Sequence, residues 1–442
     1  MIQEIGDIYR RDNFYSINDC KISVITCKLS TPVNYQQRES RHHYKLCPNS
    51  KNIHSRRYMG MNFKKIYLFL ISAMIVTVMS TACGIIGGGK TYKIGLLSPQ
   101  TGPIAVYAPG FEDSANVAIA ELNENEDGDV FELIVADSGC DGTQAATSAQ
   151  TIIDAGAIGI VGAACSGATL GAIAVASEAG VPMVSYASTS PAVTTASDSG
   201  YLFRVVPSDA QQAIALTDVV AAGGSSNPAV LYMTNDYGSG LGDNFQSNWS
   251  GSVCTQVAYD PTEGSYDAST LAQAVVDGGC DSALLISYAT DGASIVEALK
   301  AQGFSGTIYG ADGIADAAFE QAFTDASAVS GIIATKPRPG ESSTAQSTFD
   351  SAYSAAGGDA EGIYTHETYD AVKIIASAAT ANKDEDLRDD IVSVGSNYDG
   401  ASGVHTFDSN GDVAGTGYEV CEFSPAFSCS RIWTATGGLS NK

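Results

Sequence analysis

Residues 92–123 read YKIGLLSPQTGPIAVYAPGFEDSANVAIAELN. The stretch opens with an apolar run, continues through a loop that contains glycine and proline, and ends in an alanine-rich segment from Phe111 onward. A short apolar run bounded by turn residues is typical of a buried β-strand, and the longer alanine-rich segment is typical of a helix. The stretch therefore predicts a strand, a loop and a helix in that order.

The same alternation continues along the chain. Its strand-like runs are FELIVADS (131–138), AIGIVGA (157–163), VPMVSYAS (181–188), FRVVPS (203–208), AVLYMTND (229–236), VCTQVAYD (253–260), SALLISYA (282–289) and TIYGAD (307–312). The predicted helices cover 143–156, a stretch that begins near Ser166, and residues near 209–222, 240–249, 267–277, 291–302 and 315–323. Apolar strands joined by helices form parallel sheets covered on both faces, and two such series in succession predict two α/β lobes. Ligands of such sheets bind beyond the carboxyl ends of the strands, so the loops that follow them are candidate binding segments.

The segment MNFKKIYLFLISAMIVTVMSTAC (61–83) has the pattern of a secretory signal peptide. Lys64 and Lys65 precede an uncharged apolar run, Ile66 to Met79, which is followed by small residues. A membrane anchor is the alternative, but the run is shorter than the roughly 20 residues that a spanning helix needs. The sequence predicts a signal peptide over 61–82.

Cys83 follows directly after these small residues and precedes a glycine-rich stretch. Small residues before a cysteine resemble the lipobox of bacterial lipoproteins, which implies a diacylated N-terminal Cys83 and a flexible tether over 83–90. Ser80 departs from that pattern, and ordinary cleavage near Ala82 is the alternative. Residues 1–60 are rich in Lys and Arg, and we interpret them as a mis-assigned start or a disordered extension, with a functional basic arm as the alternative.

Charge and cysteine usage agree with export. From Cys83 onward the chain has 11 basic and 44 acidic residues, and such a surface repels nucleic acid and anionic lipid. Six cysteines follow Cys83, and an even number in an exported chain favours disulfides. Neighbouring positions favour three pairs among the 15 possible pairings: Cys140 with Cys165, Cys254 with Cys280, and Cys421 with Cys429. A metal site is the rival interpretation, but no C-x-x-C spacing is present, so we expect no metal and no cofactor.

Residues 92–433 resemble the type I periplasmic binding proteins of branched-chain amino-acid ABC importers, the leucine/isoleucine/valine-binding group. The matching segments are IGLLSPQTGPIAVYAPGFEDSANVAIAELN (94–123), YASTSPAVT (186–194), YLFRVVPSD (201–209), NDYGSGL (235–241), YGADGIAD (309–316) and TYDAVKIIASA (368–378). The resemblance implies a type I periplasmic-binding-protein fold, with two doubly wound parallel-sheet lobes and a hinge of three segments. It also implies a first-lobe disulfide between Cys140 and Cys165. The hinge crossings are expected near Val206–Ser208, Ala334–Pro337 and Gly403–Thr406.

The expected lobes are discontinuous in sequence. The first lobe covers 91–206 and 336–404, and the second covers 207–335 and 405–442.

By the same resemblance, an amino acid lies between the lobes. Its carboxylate meets the hydroxyls of Ser166 and Thr189 and the backbone of Ala187, and its ammonium meets Asp312. Tyr288, Tyr107 and Tyr237 line the pocket, and Tyr364 is a weaker candidate. Ser166 also suits an anion because it opens a predicted helix, although an N-cap role would explain it equally well. An N-cap role for the helix near 315–323 is the alternative for Asp312.

The predicted protein is therefore a monomeric, lipid-anchored, extracytoplasmic binding protein that delivers an amino acid to an ABC importer. A binding protein for short amides or urea and a ligand-sensing subunit of a signalling system are the alternatives. An enzyme is disfavoured because the chain has no G-x-S-x-G, H-E-x-x-H or P-loop motif. The segment DSNGD (408–412) is interpreted as a turn between strands, because its glycine is misplaced for a calcium loop.

Overall fold

The structure is a computed structural model. It describes residues 89–124, 128–262, 264–340, 343–359, 362–381, 386–424 and 426–442, together with two short strands nearer the N-terminus. By internal contacts the chain forms two units, Met1–Val76 and Thr77–Lys442. In the first unit, Ser16–Ile17 and Cys20–Lys21 pair as antiparallel strands. The predicted signal peptide and Cys83 lie outside the described residues.

Five parallel strands form the sheet of the first lobe. Their order is β2-β1-β3-β4-β5, with bounds Thr91–Ser98 (β1), Val130–Asp137 (β2), Gly159–Val161 (β3), Met183–Ser185 (β4) and Leu202–Arg204 (β5). The intervening helices are Ala108–Leu122 (α1), Gly142–Asp154 (α2), Ser166–Glu178 (α3) and the short Pro191–Thr194 (α4). The apolar runs of the sequence therefore form a parallel sheet, as predicted.

The sheet of the second lobe has eight strands in the order β15-β14-β13-β10-β9-β8-β6-β7. The strands β6 to β10 are parallel, and β13 to β15 join them as antiparallel strands at one edge. The strand bounds are Pro228–Met233 (β6), Thr255–Tyr259 (β7), Ser282–Ile286 (β8), Thr307–Gly310 (β9), Ile333–Pro337 (β10), Tyr418–Phe423 (β13), Phe427–Thr434 (β14) and Gly438–Asn441 (β15). The helices are Asp209–Ala222 (α5), Asp236–Asn248 (α6), Ala268–Gly278 (α7) and Ala289–Ala301 (α8).

A later part of the chain returns to the first lobe. The helices Thr344–Ala355 (α9) and Thr365–Ala381 (α10) pack against α1, and α10 also covers β1, β3 and β4. Helix Leu387–Val394 (α11) packs on α10 and precedes the antiparallel pair Ser396–Asp399 (β11) and Val404–Thr406 (β12). The chain passes between the lobes through 205–208, after Pro337, and between β12 and β13. The lobe boundaries given above stay a prediction.

Three disulfides join the cysteine pairs that sequence neighbourhood favours: Cys140–Cys165, Cys254–Cys280 and Cys421–Cys429. The third pair spans the β13–β14 hairpin.

Near the first disulfide, α2 and α3 approach closely at a pair of glycines. A Cβ atom on Gly171 would collide with the backbone of Gly142, so a larger residue at position 171 would force the helices apart.

The predicted helix over 315–323 is wrong. The structure has separate 3₁₀ turns at Asp312–Ile314, Ala317–Ala322 and Ala326–Val329 instead. The carboxylate of Asp316 accepts the backbone N–H of Ala318 at 2.7 Å, and it accepts the backbone N–H of Ile363 with its other oxygen. Aspartate side chains that bond the backbone locally restart short turns and compete with a continuous helix.

Two other helices start earlier than predicted, at Asp236 instead of about 240 and at Ala289 instead of about 291. The segment 408–412 is a turn, as predicted. Within the described part of the chain, no helix is both long and apolar enough to span a bilayer.

Candidate ligand-binding site

A small cavity lies between the lobes, at the carboxyl ends of both parallel sheets. Residues from both lobes line it: Ile104, Tyr107, Phe111, Ala164, Ser166, Ala187, Tyr237, Tyr288, Asp312, Gly313, Ile363 and Tyr364. Six of the seven residues that the sequence assigned to ligand contact are among them, and Thr189 is not.

Ser166 is the first residue of α3, and Cys165 occupies the cap position before it. The N-cap alternative for Ser166 is therefore wrong, since its hydroxyl instead accepts the backbone N–H of Ser190 at 3.2 Å. The first N–H groups of a helix have no partner within the helix and carry a partial positive charge. This end of the cavity is suited to an anion.

The loop after β4 carries Ala187 and Thr189, and Arg204 holds it in place. The fully buried Arg204 guanidinium donates to the carbonyl oxygens of Ser188, Thr189 and Ser190 at 3.0–3.2 Å. Its other nitrogens make a bidentate ion pair with Asp412, at 2.7 and 2.8 Å. Such planar, charge-assisted pairs are strong and geometrically specific. This pair could not be predicted from local sequence patterns because its members are 208 residues apart.

Asp312 lines the cavity from the second lobe, in the 3₁₀ turn after β9. Its two carboxylate oxygens accept hydroxyl groups from Tyr237 at 2.8 Å and from Tyr364 at 2.7 Å. Tyr237 belongs to α6 in the second lobe, whereas Tyr364 directly precedes α10 in the first lobe. Burial raises the pKa of the Asp312 carboxyl, while the two tyrosine hydroxyls oppose that shift.

The remaining predicted tyrosines form part of the cavity wall. The ring of Tyr288 stacks on that of Tyr237, with a centroid distance of 5.4 Å and an interplanar angle of 6°. Tyr107 contributes from the first lobe, and its hydroxyl donates to the carbonyl oxygen of Gly313 at 3.4 Å. Burial raises the pKa of the Tyr288 hydroxyl, so that this group stays protonated.

Asp209 is the functional candidate that the analysis of the sequence missed. It is fully buried in the first turn of α5, and its backbone N–H donates to the carbonyl oxygen of Thr189 at 2.8 Å. Its carboxylate lies beside the Thr189 hydroxyl, and neither group makes a hydrogen bond of normal geometry among the described residues. Burial and the nearby charge of Asp312 raise the pKa of Asp209. Its position after the N-cap Ser208 gave it the pattern of an ordinary helix-start acid.

The described residues contain one cluster with the spacing of a metal site, Glu419 with Cys421 and Cys429. These two cysteines are joined in a disulfide and therefore cannot act as thiolate ligands.

A serine, a histidine and an aspartate also meet on the first lobe. Nε2 of His405 contacts both the Ser402 hydroxyl at 2.9 Å and the Asp370 carboxylate at 3.0 Å. In a hydrolytic triad the serine and the aspartate contact different ring nitrogens, so this trio does not have the geometry of a nucleophile and base.

Comparisons with known proteins agree with the fold. The family model described as periplasmic binding protein matches residues 91–424. The leucine-, isoleucine-, valine-, threonine- and alanine-binding protein of Pseudomonas aeruginosa is 25% identical over 340 residues, which cover 75% of this chain and 90% of that protein.

Two solved structures share the fold. One is the branched-chain amino acid transporter substrate binding protein LivJ from Streptococcus pneumoniae in complex with isoleucine. That chain is 24% identical to this one, with a TM-score of 0.69, and the match covers 77% of this chain and 99% of that chain. The other is the leucine binding protein LivK from Thermotoga maritima, also 24% identical, with a TM-score of 0.71 over 78% and 99% of the two chains. Since the family model spans most of the sequence, the protein belongs to the periplasmic binding protein family.

Proposed function

We propose that the protein binds an α-amino acid with an apolar side chain between its lobes and delivers it to an ABC importer. The observation that carries this proposal is the placement of complementary groups from opposite lobes in the wall of one cavity. The helix start at Ser166 suits an anion, and the carboxylate of Asp312 suits a cation. A zwitterion matches both groups, and unpaired buried charges would be costly in either the ligand or the protein.

The carboxylate of the ligand is assigned to Ser166, to the backbone of Ala187 and to Thr189. The Thr189 hydroxyl is buried beside the Asp209 carboxylate without a hydrogen bond of normal geometry, so a hydrogen bond to the ligand would satisfy it. The clamp of Arg204 on three successive carbonyl groups keeps this loop in one conformation. Such pre-organisation lowers the cost of ordering the site on binding.

The ammonium of the ligand is assigned to Asp312, with Asp209 as a second acidic group close by. An ammonium brings three hydrogen-bond donors, and the Asp209 oxygens accept no hydrogen bond of normal geometry among the described residues. Two carboxylates and one ammonium leave an excess negative charge. Burial and the nearby Asp312 raise the pKa of Asp209, which lowers that excess by favouring the protonated carboxyl.

The remaining lining residues favour an apolar ligand side chain. Ile104, Phe111 and Ile363 supply aliphatic and aromatic surface, and none of the described residues that line the cavity is cationic. Burial of apolar ligand surface against these residues is favourable by about 25 cal/mol per Å². Relatives and structural neighbours whose names specify leucine, isoleucine or valine support this class of ligand.

As a periplasmic binding protein, the chain acts outside the cytoplasm. We propose further that a signal peptide over 61–82 directs export and that Cys83 is lipidated. Mass spectrometry of the mature N-terminus, after expression from Met61 in a lipoprotein-competent bacterium, tests this assignment. A diacylated Cys83 is expected, and an unmodified N-terminus beyond Cys83 would contradict it.

A thermal-shift screen against amino acids, amides, urea and sugars tests the ligand class. A ligand that binds the native state adds RT ln(1 + [L]/Kd) to the free energy of unfolding, so the best ligand gives the largest rise in midpoint at equal concentration. We expect the largest rise with an apolar amino acid. A response to amides or urea alone would refute the zwitterion assignment.

A further inference from the structure

Tyr364 connects the two lobes at the cavity. It lies immediately before α10, whose body packs on the first-lobe sheet. Its hydroxyl nevertheless donates to the carboxylate of Asp312, which follows β9 of the second lobe. This hydrogen bond can form only while the lobes are close together.

A second bond of the same loop crosses between the lobes. The backbone N–H of Ile363 donates to the carboxylate of Asp316 at 2.7 Å, four residues after Asp312. Two adjacent residues of the first lobe therefore bind two acids of one second-lobe segment. Both contacts are buried and charge-assisted, the class of hydrogen bond that contributes most to stability.

The backbone of Tyr364 has a conformation that bulky residues rarely adopt. Its φ is 58°, in the left-handed region that favours glycine. The carbonyl oxygen of Tyr364 accepts hydrogen bonds from the backbone N–H of Thr368 at 3.0 Å and from the Thr368 hydroxyl at 2.7 Å. Strained residues of this kind persist where surrounding contacts fix them, and they are concentrated at ligand clamps and switches.

We propose that residues 362–364 form a closing latch, in which the Tyr364 hydroxyl orients the Asp312 carboxylate for the ligand ammonium when the lobes meet. The latch rests on the proposed function, because it assigns the ammonium to Asp312. Tyr237 holds one oxygen of Asp312 from within the second lobe, and Tyr364 completes the arrangement from the first. Closure of the lobes and assembly of the subsite that binds the ligand ammonium are then one event.

The latch acts mainly on ligand dissociation. Release requires the lobes to separate, and separation breaks the two latch bonds together with the ligand contacts. The encounter of the ligand with an open cleft does not involve the latch. Burial and the neighbouring Asp312 raise the pKa of the Tyr364 hydroxyl, which keeps it a donor across the neutral range.

The variant Tyr364→Phe removes the hydroxyl and leaves the ring. Tyr201→Phe is the matched control, since it removes the hydrogen bond of 2.6 Å from the Tyr201 hydroxyl to the Asp386 carboxylate, which lies within the first lobe. Stopped-flow binding of the best amino acid should show the dissociation rate of Tyr364→Phe raised about ten- to hundredfold. Its association rate should change by less than about threefold, and both rates of Tyr201→Phe should match the parent. An unchanged dissociation rate in Tyr364→Phe would overturn the latch.

A measurement without ligand separates failure of the latch from failure of the proposed function. Spin labels at exposed positions Gln150 on α2 and Ser247 on α6 report the distance between the lobes. Without ligand, Tyr364→Phe should show a larger fraction of long distances than the parent and the Tyr201→Phe control. Coinciding distributions would refute the latch whatever the protein binds, whereas a parent that binds no amino acid refutes the proposed function alone.

Discussion

The substitution Asp312→Asn tests the subsite that binds the ligand ammonium, because it keeps the size of the side chain and removes its charge. Asp312 is 4% exposed, and both of its oxygens accept tyrosine hydroxyl groups, so solvent does little to screen a ligand ammonium beside it. Removing one partner of a buried charged pair costs about 3–5 kcal/mol. At about 1.4 kcal/mol per tenfold, the affinity should fall by roughly a hundredfold or more.

Titration calorimetry of the variant with the best amino acid measures this loss. Asp243→Asn, an exposed change of the same kind on α6, is the matched control and should bind like the parent. The thermal midpoint without ligand should barely change in Asp312→Asn, because the substitution also removes a charge that burial disfavours. If Asp312→Asn binds the amino acid as tightly as the parent, the ammonium is held elsewhere and the site assignment is wrong.

Three further substitutions test the site and the electrostatics of the fold. Thr189→Val should weaken binding by about 1.5–3 kcal/mol, because it removes one hydrogen bond to the ligand carboxylate. This loss is smaller than that expected for Asp312→Asn, and calorimetry that shows no loss would contradict the contact between Thr189 and the ligand. Burial raises the pKa of Glu367 to about 8 from 4.5, so the protonated carboxyl stabilises the fold below pH 4.5 and this stabilisation is lost as the pH rises to about 8. Between these pH values the thermal midpoint of Glu367→Gln should therefore fall less than that of the parent. Equal slopes of midpoint against pH would refute the assignment. Hydrogen bonds from residues 225–227 lower the pKa of Asp281 to about 2 from 3.8, so the ionised carboxylate stabilises the fold above pH 3.8 and this effect is lost as the pH falls to about 2. Acid unfolding of Asp281→Asn should therefore depend less on pH between these values than that of the parent. An unchanged unfolding profile would contradict this prediction.

The architecture was largely predictable because buried parallel strands are apolar along their whole length. Strand β8, for example, is buried at all five positions, and its run SALLI stands out in the sequence. The start of α3 was also predictable, since Ser166 follows the end of a strand-like run. Such local patterns depend on neighbouring residues alone.

The polar network around Asp312 could not be predicted in the same way. It depends on a 3₁₀ turn at Asp312–Ile314, where only the end of a strand-like run and a loop were expected, and on a tyrosine 52 residues further along the chain. Asp209 was missed for a related reason, because an acid in the first turn of a helix is usually a solvated partner of the helix dipole. Its full burial beside Thr189 follows only from the packing of the lobes.

Recognition of both charged ends of an α-amino acid is the central claim, and calorimetry with matched analogues tests it most directly. The amino acid that gives the largest thermal shift is compared with its analogue lacking the ammonium and its analogue lacking the carboxylate. Both analogues should bind at least about a hundredfold more weakly, because each leaves one of the two complementary buried groups of the cavity unpaired. An analogue that binds as tightly as the amino acid would contradict the account.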